Sequence, residues 1–126
     1  MVNVFIDGKE GTTGLQIFER LGKRDDIRIS SLPEELRKDA KARKEQINAA
    51  DIVFLCLPDA AARESVSLCE NKKVKIIDAS TAHRTDPAWA YGFPELSEEH
   101  RAKISSSCRV AVPGCHASGF ISLVYP

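Results

Sequence analysis

Val2-Asn3-Val4-Phe5-Ile6-Asp7-Gly8-Lys9-Glu10-Gly11-Thr12-Thr13-Gly14-Leu15-Gln16-Ile17-Phe18 opens the chain and decides its fold. Val2 to Ile6 is a β-rich apolar run, and three glycines follow at once. Leu15, Ile17, Phe18 and Leu21 then recur at spacings that fit one helical face. Gly22 with Lys23 and Arg24 marks a helix end, with glycine near C′ and cations in the last turn. A strand, a glycine turn and a helix in immediate succession make a G-x-x-G-x-x-G spacing informative. Gly8 permits the sharp turn, Gly11 lets a pyrophosphate approach the backbone, and Gly14 lets helix and strand pack closely. Thr12 and Thr13 add hydroxyls at the helix N-terminus, where free N–H groups favour an anion. The same glycines also suit a tight turn that holds no ligand.

The pattern repeats downstream. Ile27, Ile29 and Leu32 predict a second strand, stopped by Pro33. Glu34 to Gln46 is almost wholly charged or alanine and reads as an exposed connecting segment with helical propensity and little core. Asp51 to Leu57 is the clearest strand, apolar on both faces as a central parallel strand is, with Cys56 in its core. A helix follows to Cys69, then a strand over Val74 to Ile77 ending at Asp78. A short helix is expected from Ser97 to Ile104 and a last strand over Val110 to Val112. Pro113-Gly114-Cys115 then turns into Ala117 to Val124, which fits either a helix or a strand. Strands alternating with helices imply a doubly wound, Rossmann-like α/β domain with a parallel sheet. Ser122 to Pro126 is apolar and carries no cap, so the chain is expected to be an N-terminal fragment. It divides into a cofactor-binding domain over 1–112 and a cysteine segment over 113–126 that starts a substrate domain missing from this chain.

Composition excludes several classes. The 126 residues are 43% hydrophobic and 29% charged, too apolar for a disordered chain. Eighteen Lys plus Arg balance eighteen Asp plus Glu, so no basic surplus points to nucleic acid or a membrane surface. Neither a signal peptide nor a run of membrane-spanning length is evident, and a cytoplasmic location is expected. None of the four cysteines forms a C-x-x-C, so neither a structural metal nor a disulfide framework is expected.

Cofactor choice should be read at the end of the second strand. Ser31 stands there in place of a carboxylate, with Arg37 and Lys38 nearby, which suits the 2′-phosphate of NADP. The two cations equally fit a solvated surface. Cys115 is the candidate nucleophile. It follows a strand and a Pro-Gly turn, and a thiol at a helix N-terminus ionises more readily. The N–H groups after it could receive the oxyanion of a tetrahedral intermediate. A packing role is the alternative. His83 and Arg84 are read as structural polar contacts. His116 is not assigned as a base, because adjacent helical side chains diverge. Trp89, Tyr91 and Phe93 read as pocket wall or loop packing.

Five stretches in order resemble one family. Val4 to Ile17, Asp51 to Asp59, Asp78 to Arg84, Tyr91 to Leu96 and Val112 to Phe120 are similar to the shorter subtype of N-acetyl-gamma-glutamyl-phosphate reductase. The last of these resembles the segment around that family's catalytic cysteine, although His116-Ala117-Ser118 stands where Tyr-Pro-Thr is common. The resemblance implies NADPH-dependent reduction of N-acetyl-glutamyl 5-phosphate to the semialdehyde with release of phosphate, in arginine biosynthesis. It implies Cys115 as nucleophile through a thioester, with Gly8, Gly11, Thr12, Thr13 and Gly14 cradling cofactor phosphates. Leu57, Pro58 and Ser80 would line the cofactor, and the general base would be a histidine beyond Pro126. The implied partners are a small acyl phosphate and further copies of the full-length chain, and the fragment alone should be inactive. An aspartate-semialdehyde dehydrogenase is the neighbouring alternative, but that family usually has Asn-Cys where Gly114-Cys115 stands here. A nucleotide-binding module without catalysis is the alternative outside the enzyme class.

Overall fold

The computed structural model describes residues 1–8 and 11–124, the side chain of His116 excepted. The end of the apolar stop, Tyr125-Pro126, lies outside the described residues. Six strands form one parallel sheet: β1 (Val2–Asp7), β2 (Ile27–Ser30), β3 (Ile52–Leu55), β4 (Lys75–Asp78), β5 (Ala90–Tyr91) and β6 (Arg109–Ala111). Their order across the sheet is β2-β1-β3-β4-β6-β5. The helices are α1 (Thr12–Leu21), α2 (Ala40–Ala49), α3 (Asp59–Leu68), α4 (Glu98–Ser106) and α5 (Cys115–Val124). The doubly wound α/β reading holds. The segment from Ala117 to Val124 is helical, and β5 is a strand that periodicity missed. Two residues are too short to show a period, and β5 exists through its pairing with Val110 and Ala111.

Side-chain alternation sorts the sheet into two faces. Phe5, Val53, Leu55 and Ile76 close a core with Ile47 of α2 and Ala62 of α3. The other face carries α1 against β1 and β2, burying Val4 and Ile6. Over β3 and β4 that second face is only half-covered at Ile52, Phe54 and Ile77. Here the expectation of a strand buried on both sides needs correcting. Burial in β3 alternates, and Cys56 lies just past the strand end rather than in its core. The α1 face also remains partly open, with Leu15 45% exposed.

The charged run from Glu34 to Gln46 departs furthest from its reading. Its second half forms α2, capped by Asp39, whose side chain accepts from Lys41 N. Ile47 is fully buried, and Arg43, one turn earlier on the same face, is buried with it. Arg43 Nε and Nη2 each donate to Asp7 Oδ2 at 3.2 Å, and Nη1 donates to Glu64 Oε1 at 3.1 Å. Ser65 Oγ accepts from Arg43 and donates to Asp7 Oδ2 at 2.7 Å. An arginine this buried persists because its partners satisfy it.

β2 and β3 lie on opposite sides of β1, so the chain reverses its winding direction there. In open α/β sheets such a switch point leaves a crevice beyond the strand C-termini. Gly8 turns the chain at its rim with φ of +90°, the only positive φ among the described residues. A Cβ on Gly8 would stand 2.3 Å from the Cys56 carbonyl oxygen, so no side chain fits without backbone movement. Gly8→Ala should therefore cost about 1–3 kcal/mol, the usual range for a strained backbone position. Urea denaturation of the variant should show a lower midpoint; an unchanged midpoint would mean the turn relaxes freely.

Candidate functional site

A cleft of about 540 Å³ opens at the switch point. Asp7, Gly8 and Gly11 form its floor, and Cys56 and Leu57 follow from the end of β3. One wall is the face of α3 presented by Pro58, Ala61 and Glu64, spaced three residues apart. The other wall carries Arg37 and Lys38, with Arg43 between the two. A second recess of about 240 Å³ shares Gly11, Cys56 and Leu57, and adds Thr12, Thr13 and Ala79. Together they run along the C-terminal edge of the sheet from the 34–38 turn towards β4.

Gly8 and Gly11 stand at the two ends of the connection from β1 to α1. Gly11 is the N-cap of α1, with ordinary extended backbone, and its N–H donates to Gly8 O at 3.2 Å. A Cβ there would meet nothing closer than Gly8 O at 3.5 Å. Packing within the protein therefore does not demand a glycine, and the open side of Gly11 faces the cleft. Gly14 is the buried residue of α1. Neither N-cap residue, Gly11 of α1 or Pro58 of α3, makes a side-chain cap, and both line the cleft, where a helix N-terminus favours an anion. Asp59 at the start of α3 is turned away. It accepts from the Thr81 hydroxyl and, at 3.0 Å, from Thr81 N, and chiefly that hydroxyl bond holds its carboxyl below the usual range.

Of the remaining residues singled out from sequence, Ser31 lies in a narrow recess with Gly8 and Arg37, below the main cleft. Leu57 and Pro58 line the cleft. Ser80 is buried, and its hydroxyl donates to Asp78 Oδ2 at 3.0 Å while accepting from Ala82 N. It forms part of the loop after β4 rather than the wall of the cleft. Sequence reasoning missed Asp7, Arg43, Cys56, Ala61 and Glu64. The i, i+4 pairing of Arg43 with Ile47 was the available signal, since Ile47 is the one large apolar residue of α2 and fixes its inward face.

Cys115 begins α5 and is exposed. It stands on the same edge of the sheet as the cleft, because all six strands run parallel. β6 is three strands from β1, about 14 Å at the usual strand spacing of ~4.8 Å. The loop after β4 supports it. His83 Nδ1 donates to the buried Asp78 Oδ2 at 2.6 Å, and its ring stacks on Trp89 with centroids 4.0 Å apart. That anchorage directs Arg84 to two carbonyls, Val112 O at 2.8 Å and Ala79 O at 3.1 Å. The guanidinium also covers Gly114, where a Cβ would stand 2.9 Å from Arg84 Nη1. His83 and Arg84 thus make structural contacts, as their sequence context suggested. At the start of α5, Ser118 N and Oγ both donate to Gly114 O.

The second thiol near the cleft is chemically different. Burial first, then the carboxylates of Asp7 and Asp78, push Cys56 up to about 11. Each of these disfavours the thiolate, so Cys56 stays protonated and inert at neutral pH. Iodoacetamide at pH 7 should alkylate Cys115 and spare Cys56, whose labelling should rise only as the pH approaches 11. Peptide mapping checks this, and early modification of Cys56 would contradict the assignment.

The chain is similar to known proteins in sequence and in fold. The chain is 56% identical over 98% of its length to N-acetyl-gamma-glutamyl-phosphate reductase 2 of Pseudomonas putida, and covers 39% of that protein. It is 57% identical over the same share to N-acetyl-gamma-glutamyl-phosphate reductase of a Chelativorans species, and covers 40% of it. Among solved structures, aspartate semialdehyde dehydrogenase from Francisella tularensis matches 96% of the chain with a TM-score of 0.71 at 17% identity, and 39% of that structure is covered. Aspartate semialdehyde dehydrogenase with NADP from Candida albicans matches all of the chain with a TM-score of 0.68 at 13% identity, and 46% of it is covered. Identities this low speak for the fold alone. The family described as semialdehyde dehydrogenase, NAD binding domain, matches residues 19–104. The chain belongs to that family of NAD-binding domains.

Proposed function

We propose that the protein of which this chain is part reduces N-acetyl-glutamyl 5-phosphate to N-acetyl-glutamate 5-semialdehyde, releasing phosphate and using NADPH. Identity of 53–57% along 98% of the chain to reductases of that name carries the reading. The chain spans about 39% of the length of those relatives, so the reaction is assigned to the whole protein. Residues 1–112 serve as the cofactor domain, and 113–126 begin the part that meets substrate. As a biosynthetic enzyme it is assigned to the cytoplasm and to an assembly of several copies. Among the described residues no helix is long and apolar enough to cross a membrane.

The residues present fit a dinucleotide. The glycine cradle, two uncapped helix N-termini and a cleft of about 540 Å³ suit a pyrophosphate flanked by two nucleosides. Gly8, Gly11, Thr12, Thr13 and Gly14 would hold the phosphates, and Leu57 and Pro58 would pack on the adjoining groups. Ser80 acts from behind, fixing the loop after β4. Ser31, Arg37 and Lys38 favour NADP over NAD, because no carboxylate stands at the end of β2 to repel a 2′-phosphate.

Cys115 carries the covalent chemistry. Its sulfur attacks the acyl phosphate carbonyl, a C–S bond forms, and the C–O bond to phosphate breaks. The N–H groups opening α5 stabilise the oxyanion of the tetrahedral intermediate. Arg84 keeps the Val112–Gly114 turn in place so that the thiol meets the carbonyl from a fixed direction. A nicotinamide held in the cleft would supply a hydride to the thioester carbonyl, after which the C–S bond to Cys115 breaks to free the aldehyde and return the thiol.

In the complete protein, Cys115→Ser should lower turnover by at least about 10³-fold, since a serine hydroxyl without a paired base is a poor nucleophile. NADPH affinity should change less than about twofold, because the glycine cradle lies three strands away. Steady-state kinetics and a fluorescence titration of NADPH read the two effects. Near-native turnover in the variant would overturn the covalent mechanism.

A further inference from the structure

We propose that Asp59 and Thr81 form a positioning latch, which holds the turn that carries Cys115 at a fixed offset from the cleft. The inference rests on the reductase reading above and names two residues that reading does not use. Turnover in that reaction needs an acyl group on Cys115 to meet a dinucleotide held by other loops, so the two must keep one spacing. β3 and β4 pair in parallel as far as Leu55 and Asp78, and Ala79 N then donates to Leu55 O at 2.9 Å. Past that point, among the described residues, the Asp59 carboxylate is the group that hydrogen-bonds the two following segments together.

On the cleft side, Asp59 opens α3 and directly follows Pro58, which lines the cleft. Its Oδ1 accepts from Thr81 N at 3.0 Å, and its Oδ2 accepts from the Thr81 hydroxyl. Hydrogen bonds to an ionised carboxylate are stronger than neutral ones, and two of them fix direction as well as distance. On the cysteine side, Thr81 stands three residues ahead of Arg84, whose Nε donates to Val112 O at 2.8 Å and whose guanidinium covers Gly114. The stretch between them is short and tied. Ser80 Oγ accepts from Ala82 N at 3.2 Å, and His83 Nδ1 donates to Asp78 Oδ2. A displacement of Thr81 therefore reaches Gly114, the neighbour of Cys115. Thr81 is exposed, so a substitution there disturbs no core packing.

The test uses the full-length protein and separates the two halves of the reaction. Acylation of Cys115 by N-acetyl-glutamyl 5-phosphate without NADPH is read as phosphate release, and NADPH affinity by fluorescence titration. Stopped-flow then follows oxidation of NADPH by the preformed acyl-enzyme. Thr81→Val keeps the N–H bond and loses the hydroxyl bond. It should slow NADPH oxidation at least about fivefold, because a misplacement of about 1 Å can cost up to about a hundredfold in rate. Acylation and NADPH affinity should each stay within about twofold, since neither depends on the offset. Thr81→Ser restores the hydroxyl and should return the rate to within about twofold of wild type. Asp59→Ala removes both bonds and should slow the step further, and adding Thr81→Val to it should change nothing more. Unchanged NADPH oxidation in Thr81→Val, parallel losses in all three readouts, or a Thr81→Ser variant that stays slow would overturn the inference while leaving the reductase reading intact. A wild-type protein that forms no acyl-enzyme would overturn both.

Discussion

The close approach of Gly8 to the carbonyl of Cys56 is the constraint on which the rest of the structure depends. It brings the turn after β1 against the turn after β3 with no side chain between them. The two helices that follow those turns then start beside one another, with uncapped N-termini opening on a common space. Directly before the turn, Asp7 is tied to Arg43 and Ser65, so the glycine loop leaves a rigid base. At Cys56, the residue that receives Gly8, burial and two nearby carboxylates push the thiol up to about 11, so it stays protonated at neutral pH.

The same edge of the sheet organises the turn that carries Cys115. Pairing of β4 with β6 puts Val112 N on Asp78 O, and Asp78 itself holds Ser80 and His83. From that anchored loop Arg84 reaches back across to Val112 and Gly114. A chain of short-range bonds therefore links the loop flanking the second recess to the residue ahead of Cys115. The glycine turn and the thiol are separate stretches of sequence, held in register by the parallel strands β1, β3, β4 and β6.

Most of the architecture was legible because it is written in local patterns. The strand, glycine turn and helix at residues 2–21 need no distant partner to be recognised. What escaped depends on distant partners. Arg43 looks like one more solvated cation in a charged run, and only Asp7, 36 positions away, makes it a buried one. Ala90–Tyr91 has no period of its own and becomes a strand by pairing with β6. Cys56 reads as core because its neighbours are apolar, but the strand ends at Leu55 and its carbonyl turns to Gly8. Ser80 was expected at a strand end lining the cofactor, but it lies two residues past β4, buried, with its hydroxyl taken by Asp78. The face of the sheet over Ile52, Phe54 and Ile77 remains half-open, which no periodicity in these 126 residues could have revealed.

The central claim is that Cys115, at the head of α5, takes an acyl group from an acyl phosphate. Mass spectrometry of the complete protein, quenched after mixing with N-acetyl-glutamyl 5-phosphate in the absence of NADPH, tests it most directly. The account predicts one acyl adduct per chain, mapped to Cys115, with one equivalent of phosphate released. Phosphate release without an adduct, or an adduct on another cysteine, would contradict it.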